Sequence, residues 1–429
     1  MNKIDVEFCE ELNEKVFSTK LENGLKIFIC KKEGYKRKIG MFGTKYGSLT
    51  NHFIDINTNE ELIVPDGIAH FLEHKLFEKE EDNALDLFSK IGVNSNAYTS
   101  FDHTVFYFDT TKKIEEPVKL LIDLIKKTYF TDENVKKEQG IIAQEIMMYD
   151  DDPSYVTFFN AVKAMYQKHN IRVDILGTVD TISKITKEYL YTCYNTFYNL
   201  NNMFFIVVGD VDVEKTFELI ENEIKKYENG NNNLKEVKKI YEQEPEEIKE
   251  KRIMQNMDVF MPQICVGFKL KPKQGKDIIK RAILIDIISD MYFSKITDFY
   301  KKEYDNNVIT DTINLSYEAE NTFAHLLFLS ESIKIDILEN DLISYINEIK
   351  NKDVDEKLFN IVKENKIASM ILNSDYVSNS YRRIIDSILT DTNVYDDLRI
   401  AKDITKEDIS KLLSELDNEK MVISIVKKK

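Results

Sequence analysis

The distribution of apolar and polar residues along the chain predicts a mixture of strands and helices. The segments GLKIFICKK (24–32), RKIGMFGTKYGS (37–48) and SNAYTSFDHTVFYFDTT (95–111) are rich in β-branched and aromatic residues, which is typical of strands. IEEPVKLLIDLIKKTYF (114–130) and DVEKTFELIENEIKKYE (212–228) carry apolar residues at the helical period instead. This order predicts an α+β fold with mixed, mostly antiparallel sheets and helices on one face.

A short pattern occurs twice and predicts two similar halves. Ile-Thr-Lys-Glu begins a predicted helix at Ile185 and again at Ile404, and a strand follows 18 residues later at Met203 and 17 residues later at Met421. Between the copies, residues 225–252 are rich in Asn, Lys and Glu and poor in large apolar residues, which favours a linker. We therefore predict an N-terminal domain over 1–226, a linker over 227–252 and a C-terminal domain over 253–429.

Composition narrows the class of protein. The chain has 429 residues, of which 43% are hydrophobic and 31% charged, and its net charge is -16. An acidic chain of this kind is a poor ligand for nucleic acid, and no apolar run has the length of a signal peptide or a membrane span. The cysteines are scattered (Cys9, Cys30, Cys193 and Cys265), which favours buried thiols in a reducing compartment. We expect a cytoplasmic protein that does not bind membranes.

The segment GIAHFLEHKLFEKE (67–80) contains two of the six histidines in the chain. The apolar residues in it follow the helical period, and Asp66 is the predicted N-cap. His70 and His74 are four residues apart, so their imidazoles share one helix face and can bind one metal ion at about 2.0–2.1 Å. Glu73, beside His74, can reach a water molecule near that ion. The alternative is a solvent-facing histidine pair with an ordinary surface carboxylate.

A zinc site needs a third protein ligand, and a second predicted helix offers two candidates. This helix starts at Thr131 and ends before Pro153. Glu138 and Glu145 are seven residues apart, so both lie on one face of it. Either carboxylate can bind the metal while the other orients a histidine. The alternative is that both are solvated charges.

His70-Phe71-Leu72-Glu73-His74 is the inverted zinc-peptidase signature. With PDGIAHFLEHKLFE, NSNAYTSFDHTVFYF, EQGIIAQEI, ILGTVDTISKIT and FFIVVGDVD, the chain resembles zinc metallopeptidases of the pitrilysin and insulinase type, which include mitochondrial processing peptidase. The resemblance implies that His70, His74 and Glu145 bind Zn2+, that Glu73 is the general base and that Glu138 supports the site. It also implies two α+β halves arranged as a clamshell around an enclosed chamber.

The segment from Asn94 to Phe108 resembles the strand that pairs with the peptide substrate in this family. An edge strand offers free N–H and C=O groups, to which a short or unfolded peptide can add as one more strand. By resemblance, Asn96 and Ala97 are substrate contacts. The alternative is an internal strand. His103 lies on the same segment and is interpreted as a structural or surface residue.

The second half departs from the family pattern. Many relatives carry an Arg and a Tyr there that help to hold the substrate, whereas this chain has Lys301 and Ile309 near those positions. Tyr381, Arg382 and Arg383 could substitute, but a surface helix is the simpler interpretation. The resemblance then implies the zinc-bearing subunit of a heterodimer, rather than a homodimer, whose homologous partner supplies the missing residues.

These observations predict a zinc-dependent endopeptidase subunit. Bacterial relatives of this length resemble processing peptidases, which makes leader peptides one candidate substrate. The main alternative is a non-catalytic scaffold or assembly subunit of the same fold. A second alternative keeps the metal but hydrolyses a small amide.

Overall fold

A computed structural model describes residues 3–80, 83–227 and 236–429. The strands, numbered along the chain, are β1 (Asp5–Cys9), β2 (Glu14–Lys20), β3 (Lys26–Lys31), β4 (Lys38–Thr44), β5 (His52–Ile54), β6 (Glu61–Ile63), β7 (Asn94–Thr99), β8 (Thr104–Thr110), β9 (Met203–Gly209), β10 (Lys238–Lys239), β11 (Arg252–Asn256), β12 (Gln263–Lys269), β13 (Asn314–Glu320), β14 (Phe323–Glu331) and β15 (Met421–Lys427).

The helices are α1 (Ile68–Phe77), α2 (Ala84–Lys90), α3 (Glu115–Lys126), α4 (Asp132–Asp150), α5 (Pro153–Met165), α6 (Val179–Ile182), α7 (Lys187–Phe197), α8 (Val213–Lys225), α9 (Lys276–Tyr292), α10 (Asp298–Asp305), α11 (Ile335–Lys350), α12 (Glu356–Asn373), α13 (Val377–Thr390), α14 (Asp396–Asp403) and α15 (Lys406–Ser414). Short 3-10 helices lie at Asn170–Arg172, Leu200–Asn202 and Asn418–Lys420. Within the described ranges, no helix is both long enough and apolar enough to span a lipid bilayer.

The chain forms two compact units. Unit 1 takes Met1–Ile146, Val173–Tyr241 and Asn373–Leu389, and unit 2 takes Met147–Arg172, Glu242–Leu372 and Thr390–Lys429. This grouping differs from the continuous domains predicted over 1–226 and 253–429, because each unit includes a helix from the other half of the sequence. Of the predicted linker over 227–252, residues 228–235 lie outside the described residues, and Lys238–Lys239 pairs with β5.

Both units are built around the same strand order. The sheet of unit 1 runs β1-β2-β3-β9-β4-β8-β7, and that of unit 2 runs β11-β15-β12-β14-β13. In each, the strand after the Ile-Thr-Lys-Glu pattern (β9 or β15) lies between one parallel and one antiparallel neighbour. The last five strands of the first sheet therefore correspond to the five strands of the second. The predicted α+β fold with two similar halves is confirmed, and the clamshell arrangement stays a prediction.

The repeated pattern also starts its helices as predicted. Thr186 and Thr405 are the N-caps of α7 and α15, and a 3-10 helix precedes each following strand. All seven residues of β9 (MFFIVVG) are buried, which explains its continuous apolar run. The sheet of unit 1 thus positions its own edge strand β7 and the helix α1, which packs against β7 and β8.

Unit 2 has helices on both faces of its sheet, whereas the sequence predicted one covered face. Val266 and Phe268 of β12 belong to the main core, while Gly267 between them faces α5. A Cβ atom at Gly267 would lie 2.2 Å from Cε of Met165, so a larger residue would require the Met165 side chain to move. The alternation of side chains along a strand places α5 on the face opposite the main core.

Candidate metal centre

The helix α1 carries the two histidines and begins at a left-handed glycine. Its N-cap is Gly67, which has a φ of 87°, and a Cβ atom there would lie 2.3 Å from the carbonyl oxygen of Leu176. Glycine is therefore required both by the backbone angle and by the close approach. The prediction of Asp66 as the N-cap is wrong, because its carboxylate accepts a hydrogen bond from Nδ2 of Asn51 at 2.6 Å instead.

Three side chains from α1 and α4 bring their donor atoms together. The Nε2 atoms of His70 and His74 lie 3.9 and 3.7 Å from Oε2 of Glu145. One ligand atom from each of the three residues lies within 4.8 Å of the others. The structure thus brings together the three residues predicted as metal ligands, although Glu145 lies 75 residues after His70 and 71 residues after His74 in the chain.

The chemistry of this donor set fits zinc. Two atoms bound to a tetrahedral zinc at about 2.0–2.1 Å lie about 3.3 Å apart, so the two distances from the histidines to Oε2 of Glu145 would shorten by about half an ångström on binding. Two neutral imidazoles and one carboxylate would leave a fourth position open. Nδ1 of His70 is buried and has no hydrogen-bond partner in the described part of the chain, so Nε2 is the nitrogen that faces the other donors.

The second imidazole is held in place by Glu138, one of the two candidate carboxylates. Nδ1 of His74 lies 3.0 Å from Oε1 of Glu138, which leaves Nε2 directed at Glu145. Nζ of Lys75 lies 3.8 Å from Oε2 of Glu138 and 3.4 Å from the carbonyl oxygen of Asn134. Glu138 and Glu145 were both candidates for the third ligand. The geometry supports Glu145 in that role, because it lies beside both histidines, whereas Glu138 lies behind His74 alone.

Glu73 lies beside the histidines and is buried. Its Oε2 accepts a hydrogen bond from Oγ1 of Thr99 at 2.7 Å. Burial raises the pKa of Glu73, while the hydrogen bond from Thr99 and the charge of His74 act in the opposite direction. A raised pKa brings a carboxyl group closer to the range in which a general base works near neutral pH.

The two histidines and Glu145 differ in their electrostatic surroundings. Burial, together with the charge of His74, lowers the pKa of His70 to about 3, so its imidazole is neutral at pH 7. Burial lowers the pKa of His74 as well, but the hydrogen bond with Glu138 and the charges of nearby carboxylates outweigh burial and leave that pKa raised. Burial raises the pKa of Glu145, and the charge of Glu138 acts in the same direction.

The predicted substrate contacts lie on β7, at the edge of the sheet. β7 pairs with β8 on one side, and no strand of the described chain pairs with its other side. Asn96 is exposed, and its Oδ1 accepts a hydrogen bond from the backbone N–H of Ala97 at 2.9 Å. The alternative of an internal strand is therefore excluded for β7 within unit 1 as described.

The positions that depart from the family pattern lie in different environments. Lys301 is exposed on α10, and Ile309 is buried in the core of unit 2. The three residues at 381–383 lie on α13, which belongs to unit 1. Arg382 is exposed but Arg383 is buried, so α13 is only partly the surface helix that the sequence suggested.

Sequence reasoning missed two residues of the site, and each had a usable signal. Lys75 is fully buried and lies four residues after Phe71 and three after Leu72, so a charge falls on the predicted apolar face of α1. Thr99 lies two residues after Ala97, on the same face of β7. A charged residue at a core position and a hydroxyl in register with the predicted contacts both indicate a role beyond packing.

Comparison with known proteins identifies the family. The profile of "Insulinase (Peptidase family M16)" matches residues 60–179, and that of "Peptidase M16 inactive domain" matches residues 184–366. The first match contains His70, Glu73, His74 and Glu145. The division between the two matches agrees with the two similar halves.

Relatives match over almost the whole chain. "Uncharacterized zinc protease YmfH" of Bacillus subtilis is 36% identical over 412 residues, which cover 95% of each protein. "Zinc protease PqqE" of Helicobacter pylori is 22% identical over 372 residues, which cover 84% of this chain and 81% of that protein.

Solved structures show the same fold. The crystal structure of an M16-like peptidase from Alicyclobacillus acidocaldarius superposes with a TM-score of 0.91 at 29% identity and covers 100% of this chain and 99% of that one. A protease from Helicobacter pylori gives a TM-score of 0.83 at 19% identity, with full coverage of both chains. The long match at 36% identity and the two profile matches show that this chain belongs to the insulinase family of peptidases, family M16.

Proposed function

We propose that this protein is a zinc-dependent endopeptidase subunit that hydrolyses short or unfolded peptides. The observation that supports this proposal best is the group formed by His70, His74 and Glu145, whose donor atoms lie within 4.8 Å of one another. Glu73, from the same helix as both histidines, lies beside this group. A scaffold would have no need of this arrangement.

His70, His74 and Glu145 are the residues that would hold the metal. A bound zinc ion supplies Lewis acidity, which lowers the pKa of water and polarises a peptide carbonyl. Glu73 accepts the proton of the attacking water at a carboxylate oxygen and then gives it to the leaving nitrogen. Glu138 keeps the imidazole of His74 in the tautomer and orientation that this chemistry needs.

The substrate binds as an added strand along β7. Backbone N–H and C=O groups of an extended peptide can pair with the free side of this strand, with contacts at Asn96 and Ala97. Main-chain pairing gives affinity without demanding a particular sequence.

Full activity requires a homologous partner subunit. Lys301 and Ile309 occupy the region in which many relatives carry Arg and Tyr, and Lys lacks the planar fork with which Arg binds two oxygens at once. A partner without the zinc ligands but with this Arg and Tyr would complete the site. The proposed assembly is a cytoplasmic heterodimer, and leader peptides are one class of substrate that it suits.

The proposed role of Glu73 is tested by Glu73→Gln in the complex with the partner. Because Glu73 is not a proposed ligand, the variant should keep one zinc per chain while hydrolysis of an unfolded test peptide falls by about 10²–10⁴-fold. Glu133→Gln, an exposed carboxylate on α4, is the matched control and should keep full activity.

Two outcomes would contradict the proposal. A Glu73→Gln complex that cleaves as fast as the parent would exclude Glu73 as the base. A parent protein that binds no zinc, and that supports its complex equally well with and without a chelator, would favour the scaffold.

A further inference from the structure

Thr99 connects the edge strand β7 to the carboxylate of Glu73. It is the last residue of β7, and its hydroxyl donates to Oε2 of Glu73 at 2.7 Å. An ionised carboxylate can only accept hydrogen bonds, so the proton of this contact belongs to Thr99. Oε1 of Glu73 receives no hydrogen bond within the described ranges, so one oxygen is anchored and the other is left for proton transfer.

The Thr99 hydroxyl also contacts a second threonine hydroxyl, on the neighbouring strand β8. Thr99 and Thr104 are directly opposite each other on β7 and β8, and their Oγ1 atoms lie 3.3 Å apart. Oγ1 of Thr104 also lies 2.9 Å from the carbonyl oxygen of Tyr46, in a fully buried position. Because Thr104 has a single hydroxyl proton, it donates either to the carbonyl oxygen of Tyr46 or to Oγ1 of Thr99, and in both cases the proton of Thr99 remains available for Glu73.

Hydrogen bonds stabilise the turn between β7 and β8 on two sides. Ser100 N–H donates to the carbonyl oxygen of His103 at 2.8 Å, and Ser48 N–H donates to that of Ser100 at 3.1 Å. The His103 ring lies between Asp102, at 2.5 Å from Nδ1, and the hydroxyl of Tyr98, at 3.3 Å from Nε2. Thr99 is therefore attached to a hairpin whose turn is held by hydrogen bonds, and His103 contributes to that turn.

We propose that Thr99 is a positioning residue that fixes the carboxylate of Glu73 and ties it to the peptide-binding strand. This inference rests on the proposed function, since it assigns Glu73 as the base and β7 as the substrate strand. Ala97 and Thr99 point to the same face of β7. A peptide paired along the strand is thereby placed in a fixed register with the oxygen that takes the proton.

The test compares Thr99→Val with Thr99→Ser. Valine has nearly the shape of threonine and suits a strand, but it cannot donate, so Oε2 of Glu73 loses its anchor. In the complex with its partner, we expect kcat of Thr99→Val to fall about 10–100-fold with KM within about twofold, because the lost contact acts on the chemical step. Thr99→Ser keeps the hydroxyl and should keep kcat within about threefold.

Crystal structures of the same variants give a readout that does not depend on activity. The Glu73 carboxylate should leave its position in Thr99→Val and keep it in Thr99→Ser. Thr99→Ala serves in place of Thr99→Val where the latter folds poorly. Thr44→Val is the matched control, because Thr44 is a buried threonine of the same sheet whose hydroxyl donates to the carbonyl oxygen of Phe197.

Either an unmoved carboxylate or an unchanged kcat in Thr99→Val would overturn the positioning role. A parent complex that hydrolyses no peptide is a failure of the proposed function instead. In that case the position of the Glu73 carboxylate in the two variants alone decides the role of Thr99.

Discussion

At the scale of single residues, each of three polar side chains in the site contacts and orients one neighbouring side chain. Glu138 holds Nδ1 of His74, Thr99 holds Oε2 of Glu73, and Lys75 lies behind Glu138. Hydrogen-bonded neighbours of a metal ligand set its tautomer and raise its basicity. The affinity of the site should therefore depend on residues that do not contact the metal.

We predict that Glu138→Ala weakens zinc binding by about 10–100-fold without abolishing it, because the His74 ring loses its orientation. The dissociation constant is measured by competition with a zinc-binding dye. Glu133→Ala, on the exposed side of the same helix, should bind zinc as tightly as the parent. An affinity unchanged in Glu138→Ala would show that His74 is oriented by other contacts.

The sequence predicted the three residues whose donor atoms the structure brings together, but not all of their surroundings. The four-residue spacing of His70 and His74 and the seven-residue spacing of Glu138 and Glu145 each place side chains on one helix face, which local geometry alone predicts. Which of the two carboxylates lies beside both imidazoles depends on how α4 packs against α1. That long-range packing cannot be read from periodicity. The register of Thr99 with Ala97 on β7 was readable from the sequence, but its contact with Glu73 of α1 was not.

At the scale of elements, the long amphipathic helices and buried strands were predicted well. The helix predicted from Thr131 to before Pro153 is α4, and the two copies of Ile-Thr-Lys-Glu begin α7 and α15. The placement of α5 and α13 was not predicted. Both helices bury apolar residues, but helical periodicity does not say which sheet covers them, so the domain boundaries followed chain order instead.

A buried histidine pair in unit 2 predicts how stability depends on pH. The OH of Tyr166 lies 3.2 Å from Nδ1 of His325, and Nε2 of His169 lies 3.0 Å from Oγ1 of Thr322. Burial lowers the pKa of His325 to about 3, and burial also lowers that of His169 to about 4. The unfolded chain has ordinary histidines, so it binds more protons than the folded chain below about pH 6.5.

Stability should therefore be highest above about pH 6.5 and should fall as the pH drops toward 4. The measurement is the thermal midpoint between pH 7.5 and 5, with a chelator present to remove metal effects. His325→Phe removes one of the buried histidines whose pKa is lowered, and it should give a shallower fall over the same range. Equal slopes for parent and variant would mean that His325 does not contribute to the pH dependence.

At the scale of the whole molecule, the need for a partner subunit follows from residues that the second half lacks. Its sheet repeats the strand order of the first, but Lys301 and Ile309 stand near the positions at which many relatives carry Arg and Tyr. We predict that the isolated chain hydrolyses an unfolded peptide slowly or not at all, and that adding a homologous partner restores turnover. Size-exclusion chromatography with light scattering, followed by the peptide assay, checks both points, and strong activity from a verified monomer would count against the partner.

We propose that two imidazoles from α1 and one carboxylate from α4 hold a single zinc ion. Diffraction data from zinc-loaded crystals, collected on both sides of the zinc absorption edge, test it most directly. The account predicts one strong anomalous peak about 2.0–2.2 Å from Nε2 of His70, Nε2 of His74 and a carboxylate oxygen of Glu145. A zinc-saturated protein with no peak there, or with its peak at other residues, would contradict it.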